Sequence, residues 1–274
     1  MANNILKGKR GIIFGALDSK SIAWKVAEHA HAEGAKFVLT NAPIALRMGT
    51  INELAEKTGS KVIAADATSM EDLKALYEVA MEKLGGKIDF VLHSIAMSVN
   101  VRKGRAYYEQ NYDWTMKGYD VSALSFHKTM QAAWELDALN QWGSVVGLSY
   151  IAAQRVFHTY NDMADNKAIL ESIARSFGYH YGVRRKVRVN TISQSPTDTT
   201  AGSGVAGFDG FYKFSDDLAP LGNATSDDCA DYCISLFSDY TRKVTMQNLF
   251  HDGGFSFMGM SEEAMAIYMK DFRK

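Results

Sequence analysis

Short apolar runs alternate along this chain with longer stretches whose apolar residues return every three or four positions. The runs RGIIFG (10–15), KFVLTN (36–41), KVIAAD (61–66), IDFVLHSIA (88–96), GSVVGLS (143–149), KVRVNTIS (186–193) and VTMQNLFHDG (244–253) read as strands. Between them, SIAWKVAEHAHAEGA (21–35), PIALRMGTINELAEKTG (43–59) and MEDLKALYEVAMEKLG (70–85) carry the helical period. So do regions from about 112 to 138, from about 159 to 181 and near 226–238. Strand and helix alternate throughout. This predicts an α/β fold: a single doubly wound domain, its parallel sheet flanked by helices on both faces. No repeat, linker or low-complexity tract divides residues 1–274. The least regular stretch, about 194–224, is rich in Ser, Thr, Gly and Asp and reads as a lid or binding loop.

Composition narrows the function classes. Apolar residues make up 47% of the 274, enough for a sizeable core. The net charge of −1 offers no basic field to draw a phosphate backbone, so nucleic acid is not an expected partner. The N-terminal residues are too polar for a signal peptide, and no apolar run reaches the ~18 residues of a membrane span. Cys229 and Cys233 are four apart and share a helix face. Without nearby histidines they read as buried free thiols rather than a zinc site, so no metal is expected and a reducing, cytoplasmic compartment is.

The candidate chemistry lies at the carboxyl ends of the strands. After the first strand comes FGALDSKSIAW, a turn leading into a helix N-terminus, where backbone N–H groups favour a pyrophosphate. Gly15 lets the backbone approach such a group, and Ser21 is placed to cap the helix. The second strand ends at Asn41 and Ala42, with no acid to repel a 2′-phosphate and no arginine immediately after to attract one; Arg47 follows on the next helix. Asp66 ends the third strand, placed either to accept from an adenine amino group or to cap the next helix.

Tyr150, Tyr160 and Lys167 fall together after the fifth strand. Residues seven apart on a helix differ by only about 20° in direction, so Tyr160 and Lys167 share a face. An ammonium beside a phenol is expected to lower the phenol's pKa, and such a phenol polarises a carbonyl oxygen or stabilises an enolate. Tyr179 and Lys186 have the same spacing but straddle Gly182, so they are not expected to share a face. His93 and His127 read as core or helix positions.

The segments GKRGIIFGALDSKSIAW, HSIAMS, SYIAAQRVFHTYNDMADNKA and RVNTISQSPTDTTAGSG together resemble the enoyl-acyl-carrier-protein reductases of the FabI type, in the short-chain dehydrogenase/reductase superfamily. The resemblance runs from about residue 6 to about 260. Its most specific elements are G-x5-S-I-A at Gly15–Ala23 and Tyr-x9-Tyr-x6-Lys at Tyr150, Tyr160 and Lys167. It implies a single doubly wound Rossmann-type domain, assembled as a homotetramer, that uses NADH, with NADPH open, to reduce the trans-2 double bond of an enoyl thioester borne by acyl carrier protein. It implies that Tyr160 bonds the thioester carbonyl, that Lys167 binds the nicotinamide ribose, that Tyr150 assists, and that Ser98 meets the substrate. By the same match Gly15, Ser21, Ile22, Ala42, Asp66, Ala67, Ser94, Ile95 and Ala96 line the cofactor. Pro196, Thr197, Asp198, Thr199, Thr200 and Ala201 contact it and lead into a substrate-covering loop, which the resemblance assigns to about 194–224. Two departures stand out. Ala96 replaces a usual glycine, and Gln194-Ser195 replaces a usual Ala-Gly.

Two rivals are weaker. A carbonyl reductase of the same superfamily generally carries Tyr-x3-Lys, which none of the 13 tyrosines supplies. A dinucleotide-binding regulator without turnover has only Ala96 and the missing turn glycines in its favour.

Overall fold

The computed structural model describes residues 3–271. Among them one sheet has seven strands: β1 (Arg10–Phe14), β2 (Lys36–Asn41), β3 (Lys61–Ala64), β4 (Ile88–His93), β5 (Leu139–Ser149), β6 (Arg188–Gln194) and β7 (Asn248–His251). Their spatial order is β3-β2-β1-β4-β5-β6-β7, and every pairing is parallel. The helices are α1 (Ile22–Ala32), α2 (Pro43–Met48), α3 (Ile51–Thr58), α4 (Met70–Leu84), α5 (Val99–Arg102), α6 (Tyr112–Tyr119), α7 (Ser125–Glu135), α8 (Asn161–Arg185), α9 (Phe208–Leu218), α10 (Ser226–Phe237) and α11 (Glu262–Asp271).

Adjacent strand residues point to opposite faces, and both faces are covered. Ile12, Phe14, Val38, Val91 and Val145 pack with Leu73, Tyr77 and Phe126 on one side. Ile13, Leu39, Leu92 and Val146 pack with Trp24, Cys229, Cys233 and Phe237 on the other. Each such side chain, fully buried, contributes about 1.5–3 kcal/mol. This double burial is why the strands read as continuous apolar runs. The two cysteines are buried free thiols within the second cluster. Among the described residues no group of His, Cys, Asp and Glu is arranged to hold a metal, and no helix is long and apolar enough to cross a membrane.

Several boundaries differ from the sequence reading. The helix expected over 43–59 breaks at Gly49, where a Cβ would sit 2.3 Å from the Leu17 carbonyl oxygen; the loop after β1 occupies that space. The helix expected over 112–138 contains a π turn at Asp120–Leu124 and ends at Glu135. α8 continues past Gly178 and Gly182 to Arg185. A Cβ at Gly178 would lie 2.6 Å from Met246 Cγ, so this glycine permits close packing rather than stopping the helix. The segment 194–224 is not wholly irregular, because it contains α9. α5 and α11 were not anticipated.

Candidate active site

The strand order reverses between β1 and β4, and ligands of open α/β sheets bind at such a switch point beyond the carboxyl ends of the strands. A cavity of about 370 Å³ lies there. Gly15, in the β1–α1 loop, has φ +92°, and a Cβ on it would sit 2.0 Å from the Ser94 carbonyl oxygen. Both facts demand glycine. Ser21 holds the N-cap position of α1, yet its side chain does not cap the helix. Its hydroxyl donates to the Asp18 carbonyl at 2.7 Å and accepts from the Leu17 N–H at 3.3 Å. The expectation of a side-chain cap is corrected: the hydroxyl shapes the loop. The N–H groups of Ile22 and Ala23 then have neither an intrahelical nor a side-chain partner. Such amides at the positive end of an 11-residue helix fit a diphosphate.

Gly15, Ser21, Ile22, Ser94, Ile95 and Ala96 all line the cavity, as does Asn41, whose side-chain amide donates to the Ala16 carbonyl at 3.1 Å. Ala42, Asp66, Ala67 and Asp198 are not among the lining residues. Asp66 does not cap the following helix either. Its carboxylate accepts from the N–H and hydroxyl of Thr68, at 2.9 and 2.7 Å, closing a turn. The cap of α4 is Ser69, which accepts from the Asp72 N–H. Ala67 is buried beneath α4, and Asp198 lies 3.9 Å from Lys20.

The two tyrosines meet across the cavity. Tyr150 follows β5, Tyr160 holds the N-cap position of α8, and Lys167 lies two turns further on. The rings of Tyr150 and Tyr160 are 5.0 Å apart. Lys167 is buried, and its ammonium donates to the Leu148 carbonyl at 2.7 Å. The expected anionic phenol is not found. Burial pushes the pKa of Tyr160 above its ordinary value, so the hydroxyl keeps its proton. Burial also raises Tyr150, with Tyr160 adding to the effect. The lysine itself is brought down to about 8 by burial, opposed by Glu171. The sequence reading missed this because spacing cannot show that the ammonium is committed to a backbone carbonyl. Nor do Tyr179 and Lys186 form a second array: Tyr179 is exposed, and Lys186 leaves the helix at φ +56°.

The β4–α5 loop is pinned from the π turn, where Ser122 donates to the Met97 carbonyl at 2.9 Å and accepts from its N–H at 2.8 Å. Ser98 lines the cavity, but its hydroxyl is already used. It caps α5 by accepting from the Val101 N–H and donates to Asp162 at 2.5 Å. Ser98 therefore fastens α5 to α8 from the wall of the cavity, where the sequence reading places it. Asn100 donates to the other oxygen of Asp162 at 2.9 Å. His93 is buried beside Phe126, bonds Ser125 at 2.8 Å and is pushed down to about 3 by burial, so it stays neutral.

Pro196, Thr197, Thr199, Thr200 and Ala201 line the far wall, and Phe208 and Phe211 of α9 continue it. The Thr200 hydroxyl donates to Asp18 at 2.6 Å, joining this wall to the β1–α1 loop. The Gln194-Ser195 pair anchors the base of the segment. Gln194 bonds His251 at 2.7 Å, and the Ser195 hydroxyl accepts from the Ala224 N–H at 2.8 Å. Sequence reasoning missed Leu148, Met163 and Arg102 as lining residues, whereas Phe208 and Phe211 fall in the stretch 201–212 expected to close over an acyl chain. Met163 was legible, three after Tyr160 and four before Lys167 on one helix face. Phe208 and Phe211 are spaced by one helical turn, but Gly207 and Gly210 hide the helix that carries them.

Comparison with known proteins agrees with this geometry. The family described as enoyl-(acyl carrier protein) reductase matches residues 15–256. The chain is 33% identical over 261 residues to enoyl-[acyl-carrier-protein] reductase [NADH] 1 of Rhizobium meliloti, covering 94% of each chain. The FabI–NADH complex from Alistipes finegoldii superposes with a TM-score of 0.94 at 63% identity, over 96% of this chain and 93% of that one. The Bacillus cereus reductase with NADP+ and an indole naphthyridinone has a TM-score of 0.87 at 30% identity, over 95% and 100% of the two chains. With the family's model matching most of the chain and solved FabI structures superposing on its seven-stranded parallel sheet, the chain belongs to the enoyl-(acyl carrier protein) reductase family, of the FabI-type short-chain dehydrogenase/reductases.

Proposed function

We propose that this protein reduces the trans-2 double bond of enoyl thioesters carried on acyl carrier protein, the last reductive step of a fatty-acid elongation cycle. NADH, when bound, supplies the hydride that adds at the β-carbon. The observation that carries the reading is the convergence, on one cavity, of a protonated Tyr160, a buried Lys167 and a turn in which only glycine fits.

The roles follow from the chemistry of each group. Negative charge develops on the thioester oxygen, and the Tyr160 hydroxyl donates a hydrogen bond to it. In a site closed to water such a donor contributes on the order of 3 kcal/mol. Tyr150 backs Tyr160 and narrows the cavity. Lys167 would hold ribose hydroxyls of the cofactor, the α1 N-terminus with Gly15, Ser21 and Ile22 its diphosphate, and Ser94, Ile95, Ala96 and 196–201 its nicotinamide half. Phe208 and Phe211 cover the acyl group. Ala42, Asp66 and Ala67 fall to the adenosine end. NADH is favoured over NADPH because no arginine follows Ala42 directly and Arg47 is exposed on α2. The chain acts as one catalytic domain with 194–224 as its covering segment. It assembles as a homotetramer, a reading supported by exposed apolar side chains on α6 (Tyr112, Met116) and α8 (Tyr179, Val183). The free buried thiols suit the cytoplasm.

The test is NADH and NADPH oxidation with a crotonyl thioester, on the wild type, Tyr160→Phe and Lys167→Ala. Tyr160→Phe is expected to lose about 10²–10³ in kcat with NADH affinity unchanged. Lys167→Ala is expected to weaken NADH binding. Full turnover in Tyr160→Phe would transfer the donor role to Tyr150.

A further inference from the structure

The rim of the cavity carries three cations in four residues. Arg102 ends α5 and lines the cavity, Lys103 follows it, and Arg105 comes after a turn at Gly104. All three are exposed. No carboxylate of the described residues lies within 4.0 Å of any of them; the bond Arg105 makes near Glu109 is to that residue's backbone carbonyl, at 3.3 Å. Its guanidinium also lies over the Trp114 ring, 5.4 Å from the centroid, which fixes its direction. The segment abuts the covering segment. Arg102 Nε is 4.0 Å from the position a Cβ would take on Gly204, and Ala206 Cβ is 3.9 Å from the corresponding position on Gly104.

The helix that follows the abutting stretch has the other sign. α9 carries Asp209, Asp216 and Asp217 against one lysine, Lys213, which is paired with Asp217 at 2.8 Å. An anion leaving the cavity is therefore repelled from the covering helix and attracted to 102–105. Arginine matches phosphate with its planar fork of donors, and a neighbouring lysine adds charge.

We propose that Arg102, Lys103 and Arg105 hold the phosphodiester of the phosphopantetheine arm that carries the enoyl thioester, where that arm leaves the cavity. This rests on the enoyl-thioester reading above and adds the element that recognises the carrier end of the substrate. The thioester must reach Tyr160 inside while its carrier stays outside, so the arm has to cross the rim. A phosphate there meets three cations that no carboxylate of the described residues approaches within 4.0 Å.

The experiment compares kcat/KM for crotonyl-pantetheine, crotonyl-4′-phosphopantetheine and the crotonyl carrier protein, with NADH, at low and high ionic strength. The wild type is expected to prefer the phosphorylated arm over the unphosphorylated one by about tenfold, through KM, with the preference shrinking as salt rises. The double variant Lys103→Glu/Arg105→Glu erases the preference while crotonyl-pantetheine turnover stays at the wild-type rate. Lys103→Gln/Arg105→Gln falls between. A preference that survives the charge reversal, or none in the wild type, overturns the proposal. Loss confined to the carrier-borne substrate also overturns it, assigning the cations to an acidic face of the carrier instead. A wild type that reduces none of the three overturns the enoyl-reductase reading itself.

Discussion

Lys167 is charged at neutral pH although burial brings its pKa to about 8, whereas an unfolded lysine keeps its proton to about 10.4. Between those values the unfolded chain binds the extra proton, so stability rises with pH there and the cost of burying the ammonium is felt below about 8. The cofactor-free wild type should therefore gain up to about 3 kcal/mol relative to Lys167→Met from pH 8 to 10.5, by denaturant melts at matched pH. NADH affinity should move the other way, weakening as pH passes about 8; a flat fluorescence titration from pH 6.5 to 9.5 would remove the charge of Lys167 from cofactor binding. At Gly15 the constraint is steric. Gly15→Ala is expected to cost roughly 1–3 kcal/mol for its left-handed backbone alone, and the clash with the Ser94 carbonyl should lower NADH affinity at least tenfold. Normal NADH binding by that variant would show that the loop has room to move.

At the scale of elements, β4 is tied to α7 through His93, whose pKa of about 3 lies below the 6.5 of an unfolded histidine. The unfolded chain takes up the proton first on acidification. Stability is therefore fully present above pH 6.5 and is lost as pH falls towards 3, by about 2 kcal/mol at pH 5 from this residue. His93→Gln should flatten that part of the curve. The N-terminus of α10 shows a device the sequence displays openly: the Thr225 hydroxyl accepts from the Asp228 N–H, and the Asp228 carboxylate accepts from the Thr225 N–H. Thr225→Ala is expected to cost about 1 kcal/mol of stability with kcat unchanged, because α10 packs on the face of the sheet away from Tyr160 and Lys167. α9 was illegible for the opposite reason. It begins at a left-handed Gly207, contains Gly210, and owes its helical form to Phe208 and Phe211 turning to the cavity and Phe214 meeting Phe255 at 5.8 Å.

At the scale of the whole molecule, Tyr112 and Met116 on α6 and Tyr179 and Val183 on α8 are exposed apolar side chains. Burying them between copies is the gain expected to hold a tetramer. Light scattering should give about four times 30.3 kDa, and Tyr179→Glu/Val183→Glu should shift the protein to smaller species. A monomeric wild type would contradict this.

The sequence by itself determined the alternation of the seven strands with the main helices and the parallel doubly wound sheet, because period and run length are properties of the chain, and it displayed the motifs at Gly15–Ala23 and at Tyr150, Tyr160 and Lys167 that carry the family resemblance. The tertiary structure alone decided the charge states and the fastenings. That Tyr160 stays protonated follows from burial, and that Lys167 turns to the Leu148 carbonyl follows from β5 lying beside α8. That Ser98 fastens to Asp162, 64 residues away, depends on which loops fold against each other. Desolvation and long-range hydrogen bonds have no local signature, so these features exist only once the chain has closed around them.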